Sequence, residues 1–503
     1  MLRQLPPRRK LDLFMGKIPM TFIAFFGYYA RHDTTLEGVH VTRSTTIDST
    51  ERRAVSSLAG IFGLRMMGLF LILPVFSSYA HGLQGAAEHP ELVGIALGAY
   101  GLTQALLQIP FGMLSDRWGR KPVIAAGMLL FAIGSVIAAM SDSIVGVLIG
   151  RIIQGSGAVA AAVIALTADL TRDQQRTKAM ATIGITIGVS FALSMVLGPL
   201  LDQWIGVAGI FWLTGALSLL SILVLYWVVP DPASHTHHSD SEVTPALFAS
   251  MLKNADLLRL DFGVLCLHAS LTALFVVLPL LLADPTTALL AKSDQWKLYL
   301  PVMLLAFVAM VPLIIIAESK RKMKQVFIIS IVLLITACLL LATAHSSLGM
   351  IIAALFIFFL GFNTLEASQP SLVSKYAPAT AKGTAIGIFN TSQFFGAFVG
   401  GVLGGFMYQP AMHNYATVFL MLAGLLGVWL MVALTMNQPP FLASRAIPVS
   451  VGNAQQAQAL EQVLLAMNGV AEAVIIVEEQ TAYCKVDSKV VDENSLRIAV
   501  AVG

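Results

Sequence analysis

The sequence predicts an all-α polytopic membrane protein, twelve transmembrane helices in two six-helix bundles, followed by a small α+β domain of ferredoxin-like type. Three observations carry this. The 503 residues are 57% hydrophobic and 12% charged, against roughly 25% charge in soluble domains, which leaves too little polar surface to coat a water-soluble globule. The mean hydropathy is +0.79, and apolar runs of about 20 residues, enough to cross a bilayer core as a helix, recur along the chain. Lys and Arg gather on alternate connections. A soluble enzyme, a disordered scaffold and a secreted disulfide protein are thereby excluded. Cys266 and Cys338 fall in apolar runs and Cys484 in the polar tail, so neither a disulfide framework nor a thiolate metal site is expected. A net charge of +3 gives no reason to expect a nucleic-acid partner.

Residues 1–50 form an N-terminal extension. Its apolar stretch Ile18–Ala30 is too short to span easily, and no small-x-small cleavage site follows it, so a disordered extension or mis-assigned start is expected rather than a signal peptide. Spans are predicted near 54–79, 92–114, 122–140, 144–169, 178–200 and 206–229, a bundle over 51–229. A second set lies near 260–283, 296–317, 326–344, 349–374, 383–408 and 415–436, a bundle over 260–436. Nine basic residues precede span 1. The even-numbered connections then hold three, three, two, four and two and the tail four, while the other connections hold only Lys292 and Lys297. This bias places both termini in the cytoplasm.

The linker 230–259 opens polar, at Pro230–Glu242, and turns amphipathic at Pro245–Leu260, where Leu247, Met251, Leu252, Leu257 and Leu258 could lie on the inner membrane surface. His235, His237 and His238 sit in its polar part without nearby acid or thiolate spacing, so no metal is expected there. After a second linker at 437–446, residues 447–503 read as strand Ile447–Val451, helix Ala454–Met467, strands Val470–Val477 and Thr481–Val486, and helix Glu493–Val500. The order resembles heavy-metal-associated domains. The first loop, Ser450-Val451-Gly452-Asn453-Ala454-Gln455-Gln456, lacks that family's cysteines, so copper carriage loses its ligands. A docking or regulatory module, answering to a ligand or protein, remains beside a role in stability alone.

The connection after span 2, Gly112-Met113-Leu114-Ser115-Asp116-Arg117-Trp118-Gly119-Arg120-Lys121-Pro122, is a tight charged turn. Gly112 lets two helices approach, Gly119 supports the reversal, and Asp116 can face a helix N-terminus or a basic neighbour. Arg117, Arg120 and Lys121 could equally be plain inside-positive anchors. The connection after span 8 repeats the pattern, with Glu318 four residues before Lys322. Such internal symmetry marks secondary transporters built from repeats.

The turn closely resembles motif A of the major facilitator superfamily, and Arg151-Ile152-Ile153-Gln154-Gly155 in span 4 is similar to its motif B. The resemblance covers residues 51–440. With the appended domain it narrows to a drug/proton antiporter-like group carrying a C-terminal ferredoxin-like domain. It implies that fold, alternating access by a functional monomer, and proton-driven efflux of small molecules across a bacterial inner membrane. It also implies that Asp116 caps span 11 in the outward-facing state and that Arg120 pairs with Asp169. One departure matters: Gly198-Pro199 is followed by Leu200, Leu201, Asp202 and Gln203 where antiporters carry Gly-Pro-x-x-Gly-Gly. Fuller glycine spacing falls on span 11, at Gly387, Gly396, Gly400, Gly401, Gly404 and Gly405, where it permits close packing. Proton-coupled uptake, facilitated transport and a membrane sensor signalling through the tail remain alternatives. No HExxH, GxSxG or P-loop supports an enzyme.

An ionisable side chain within a span costs at least about 2.5–3.5 kcal/mol, so it needs a partner or a wet cavity. Arg65 in span 1 and Glu366 in span 10 lie at comparable depth and could pair, either as a proton-sensitive switch competing with a cationic substrate or as a fixed structural pair. His268 in span 7 is a second titratable candidate, with the boundary acid Asp261 in reserve. Arg151 with Gln154 could assist proton passage or satisfy helix carbonyls. Tyr100, Gln104 and Gln108 recur every four residues on span 2, as a pore-lining stripe or as interhelical hydrogen bonds. Asn363, Asn390 and Gln393 offer a similar set in the second bundle. The proton is the expected coupling ion, and no cofactor is expected.

Overall fold

In the computed structural model, residues 48–231 and 247–502 are described, apart from 288, 344–345, 379–380, 409–411, 413 and 488. The N-terminal extension up to residue 47 and the histidines 235, 237 and 238 lie outside the described residues. Eleven helices among those described are long and apolar enough to cross a membrane. One of them, Lys178–Trp227, has 50 residues, about twice what a bilayer needs. It breaks at Gly206 (φ 67, ψ 172), a backbone that L side chains rarely adopt, and so supplies spans 5 and 6. That makes twelve spans.

Span 1 runs over Ser49–Phe70 and Leu73–Ala80, broken just before Pro74, whose ring is tolerated in the first turn of the second piece. Span 2 is Glu91–Trp118, span 3 Arg120–Met140, and span 4 Ile144–Ser156 with Ala160–Asp169. Spans 7 to 12 are Ala255–Leu282, Gln295–Ser319, Met323–Thr343, Leu348–Tyr376, Lys382–Met407 and Tyr415–Leu434. Span 7 begins five residues earlier than the hydropathy suggests. Asn254 caps it, accepting hydrogen bonds from the backbone N–H groups of Asp256 and Leu257. The amphipathic segment expected over Pro245–Leu260 therefore reduces to one turn, Phe248–Met251, and Leu257 and Leu258 belong to the span. Leu106, Leu304, Leu305, Val308 and Val428 are exposed on the outside of the spans, as lipid contact requires.

The end of the bundle that carries the turn after span 2 is termed the loop end, the opposite one the far end. At the far end the two bundles meet. A Cβ on Gly94 of span 2 would collide with the carbonyl oxygen of Gly401 on span 11, and one on Gly401 with that of Gly94. Span 11 uses its other side against span 7, where Gly396 and Gly400 lie on the carbonyls of Leu265 and Ala269, and Gly404 lies against Ala273 and Val276. Ser77 of span 1 donates to the Val276 carbonyl of span 7, Asp202 pairs with Lys292 at 2.9 Å, and Gln203 donates to the Ser293 carbonyl at 2.6 Å. Gly198 packs on the carbonyl of Leu71 and on Pro74, where span 1 breaks.

The tail is a three-stranded antiparallel sheet of order β1-β3-β2, with β1 Ala443–Pro448, β2 Val470–Ile476 and β3 Thr481–Val486. Helices α1, Ala454–Leu465, and α2, Glu493–Val502, accompany it. Ile447, Leu460, Leu464, Ile475, Cys484 and Leu496 form its core. The first strand was expected at Ile447–Val451 but begins at Ala443, inside the expected linker 437–446. Val449 and Val451 continue the buried alternation beyond β1: the Val449 N–H bonds the Gln480 backbone carbonyl at 2.9 Å, and the Gln480 side chain bonds both the N–H and the carbonyl of Val451. Alternating burial is what strand patterns read.

Gly401→Val is expected to force the bundles apart at the far end, since overpacking a close contact costs about 1–3 kcal/mol. Spin labels at Glu88 and Lys297, in a background without native cysteines, should gain a longer-distance population. An unchanged distance distribution would contradict the contact.

Candidate functional site

Two arrangements hold the sequence-selected residues. At the loop end, Gly119 takes φ 91 and is the single residue between the end of span 2 and the start of span 3. Arg120 then turns back: it bonds the Asp116 carboxylate, donates from Nη1 to Ser115 Oγ at 2.9 Å, and reaches Asp169 Oδ2 at 3.2 Å. Both Arg120 and Asp169 are buried, 5% and 1% exposed as side chains, so this pair is desolvated. Lys121 donates to the Val229 carbonyl at 2.7 Å and pairs with Asp231 at 2.6 Å, tying span 6 to the turn. Arg117 is exposed. Gly112 brings span 2 onto Ala161 of span 4. Sequence reasoning missed Glu51, which accepts from the Arg172 guanidinium at 2.8 Å and its backbone N–H at 3.0 Å; an acid in the first turn of span 1 was the available signal. In the second bundle Glu318 pairs with Lys375 at 2.8 Å.

Within the spans, the first bundle is closed on itself. Arg65 bonds the Gln104 side chain and donates to the Gly157 carbonyl at 2.9 Å, at the interruption of span 4, where that oxygen also accepts from the Val159 N–H at 2.9 Å. Gln104 donates to Gln108 at 3.2 Å. Arg151 donates to Gln154 at 2.7 Å and to the Leu97 carbonyl at 3.3 Å, and lies 5.0 Å from the Tyr100 ring centroid. Gln154 in turn donates to Ser135 at 2.8 Å. Arg65, Tyr100, Gln104, Gln108, Arg151 and Gln154 are all at most 2% exposed. The span 2 stripe therefore joins spans 1, 2 and 4 in this conformation and lines no accessible surface.

The expected Arg65–Glu366 pair is absent. Comparable depth does not make two side chains face each other, and Arg65 finds its acceptors in its own bundle. Glu366 instead joins residues of spans 7 and 11: Gln393 donates to Glu366 Oε1 at 3.1 Å and lies 2.8 Å from His268 Nε2, which is 3.7 Å from Glu366 Oε2. His268 Nδ1 is 3.3 Å from the Val264 carbonyl. That oxygen can only accept, so the neutral ring keeps its proton on Nδ1 and offers Nε2 as acceptor to Gln393. A second proton turns Nε2 into a donor, which fits the carboxylate and not the amide. Glu366 is about one-third exposed as a side chain, at 34%. Asn363, one turn before it, is buried, and Asn390, one turn before Gln393, is half-buried. Asp261 lies near the start of span 7, away from this group in sequence.

Beside His268 stands an aromatic contact that joins the bundles. Phe362 lies 5.8 Å from the imidazole, and Phe191 of span 5 lies 5.7 Å from Phe362 and 6.3 Å from Phe359. Phenylalanine on an apolar span gives no periodic signal, so sequence alone does not single these out. Among the described residues no group of three or more His, Cys, Asp or Glu side chains could hold a metal.

The Major Facilitator Superfamily pattern matches residues 58–400 and again 302–465, and the YajR YAM domain pattern matches 446–501. The chain is 47% identical over 450 residues to the inner membrane transport protein YajR of Escherichia coli (strain K12), across 90% of this chain and 97% of that one. It is 27% identical over 364 residues to multidrug resistance protein MdtH of Aeromonas salmonicida (strain A449), across 70% and 86% of the two chains. A bacterial homologue of the human lysosomal transporter Spinster, solved inward-facing and unoccupied, superposes with a TM-score of 0.62 at 14% identity, covering 77% of this chain and 98% of its own. That last likeness concerns the fold.

Reversing either charge of the Arg120–Asp169 pair is expected to destabilise the protein in detergent, and exchanging the two residues to recover part of the loss. The coupling should be about 0.5–3 kcal/mol, the range for residues in one network. Additive losses in the thermal-unfolding cycle would show that the pair does not act as one.

Proposed function

The chain belongs to the Major Facilitator Superfamily, and from that membership we propose that it couples inward proton movement to the efflux of small molecules across a bacterial inner membrane, as a monomer working by alternating access. It is a membrane transporter and not an enzyme. The observation that carries proton coupling is the His268–Gln393–Glu366 group, three polar side chains from three different spans meeting inside the membrane. An ionisable cluster at that depth is retained for a purpose, because burial in an apolar span opposes it. The bias of basic residues supports a cytoplasmic loop end, and in this reading a conformation joined at the far end faces inward. In this reading, a proton arriving from outside redirects His268 Nε2 from the Gln393 amide to Glu366, and departs inward when the carboxylate is exposed as here.

The turn after span 2 supports the other half of the cycle. With the far end joined, Asp116 is bonded to Arg120. When the loop end closes instead, Asp116 can turn to the N-terminus of span 11, whose unpaired N–H groups favour an anion. Arg120 keeps Asp169 as its partner, so the exchange strands no charge. The outward direction is supported by the relation to MdtH and by the group that motif A resembles.

Glu366→Gln should mimic permanent protonation: counterflow continues while proton-driven accumulation falls to about unity, because the two states no longer differ in proton affinity. Vesicles with equal amounts of inserted wild type and variant, given a pH gradient and a panel of cationic, neutral and sugar substrates, measure both. Undiminished accumulation by Glu366→Gln would remove this residue from the coupling.

A further inference from the structure

The turns after spans 2 and 8 correspond at a constant offset of 202 residues, which sets Asp116 against Glu318, Gly119 against Arg321, Arg120 against Lys322 and Asp169 against Ser371. The backbone agrees: Arg321 has φ 55 where Gly119 has φ 91. A left-handed backbone strains any residue with a Cβ, so glycine would fit better at 321. Strain held at one position points to a side chain needed there.

The Arg321 side chain leaves its bundle for the tail. Its Nη2 reaches both carboxylate oxygens of Asp487, at 2.7 and 2.9 Å, and the guanidinium lies 5.3 Å from the ring centroid of Phe441, which Lys375 approaches at the same distance. Two residues before Asp487, at the end of β3, Lys485 donates to the carbonyls of Lys375, at 2.9 Å, and Ala377, at the C-terminus of span 10. A cation on the last carbonyls of a helix both satisfies them and complements the dipole. Lys485 is only 6% exposed as a side chain, so this end of the tail is seated and not merely adjacent.

The two bundles therefore solve one problem differently. In the first, span 4 supplies Asp169 to hold the base of the turn. In the second, the equivalent position on span 10 is Ser371, which donates to Glu318. The acid for Arg321 comes from the tail. We propose that the tail is the second bundle's lock, with Asp487 and Lys485 as positioning residues that fix the turn after span 8 to the end of span 10 and so favour the conformation joined at the far end. The route is short: Ala377 precedes by five residues the start of span 11, the helix that packs on span 2 at Gly401. The proposal rests on alternating access.

The Arg321 hydrogen bonds hold the Asp487 carboxyl below its ordinary range, and the backbone N–H of Lys489 adds to this. A carboxyl depressed on docking contributes fully above its undocked pKa, about 3.9, and loses that contribution as pH falls through the depressed value. The groups facing it are Arg321 and Lys489, both cationic there. Lys485, lowered by burial, has Glu472 at 3.9 Å. The Asp487–Arg321 contact therefore contributes fully at neutral pH and weakens as pH falls through that depressed value.

Two pairs of spin labels on the full chain in nanodiscs test this. Labels at Gln462 and Lys320 report docking, and labels at Glu88 and Lys297 report the far end. Asp487→Asn with Lys485→Met, and separately Arg321→Gly, should broaden the first distance and raise the far-end-open population about tenfold. Exchanging the charges, Arg321→Asp with Asp487→Arg, should restore both. Broadening of the first distance with an unchanged far-end distribution would reduce the tail to a stabilising cap and overturn the proposal, as would a tail that stays docked in all variants. A wild type with one far-end distance under every condition would overturn alternating access itself, while the docking labels still report the tail.

Discussion

Gly94 and Gly401 lie so close that a methyl group on either would meet the other's carbonyl oxygen, and the arrangement of both bundles follows from that approach. Lipid offers no hydrophobic drive for helices to associate, so close packing between small residues has to supply it. Span 11 is the shared element. One side, at Gly396, Gly400 and Gly404, fits span 7 of its own bundle, and the other, at Gly401 and Gly405, fits span 2 across the interface. A helix with two glycine faces can stay attached to one partner while it leaves the other. The first attachment is internal to a bundle. The second is the one a transport cycle has to break.

Charges inside the membrane follow a corresponding division. Arg65 and Arg151 spend their hydrogen bonds on side-chain amides and on the backbone carbonyls of Gly157 and Leu97, and are closed off within the first bundle. Such groups fix helix positions at the cost of desolvation. The second bundle keeps its ionisable pair with one amide between them, His268 buried and Glu366 partly exposed. A guanidinium offers hydrogen-bond donors alone, whereas an imidazole nitrogen can donate or accept. One half of the molecule therefore holds its buried charges in closed hydrogen bonds, and the other sets a histidine and a carboxylate on one shared amide.

Much of this was legible in the sequence, for identifiable reasons. Helix length against bilayer thickness located the spans, and residues 112–122 marked the turn whose Arg120 is placed between Asp116 and Asp169. His268, Glu366 and Gln393 were each selected as intramembrane polar groups. Their meeting was not legible, because depth along a helix is readable from sequence and azimuth across a bundle is not. Span 7 starts before its hydropathy does because Asn254 caps it, and a cap outweighs hydropathy at a helix end. The tail's first strand was displaced by the alternation of Ile447, Val449 and Val451, part of which is paired by a side chain. Nothing in sequence linked Asp487 to Arg321, 166 residues away.

Distances at the two ends of the wild-type bundle, followed together as pH changes, test the account most directly. With spin labels at Trp118 and Lys320 for the loop end and at Glu88 and Lys297 for the far end, pH would be stepped between about 5 and 8. The account predicts two populations at each end that exchange in opposition, the loop end shortening as the far end lengthens, with the same pH midpoint. Ends that open together, or distances that ignore pH, would contradict it.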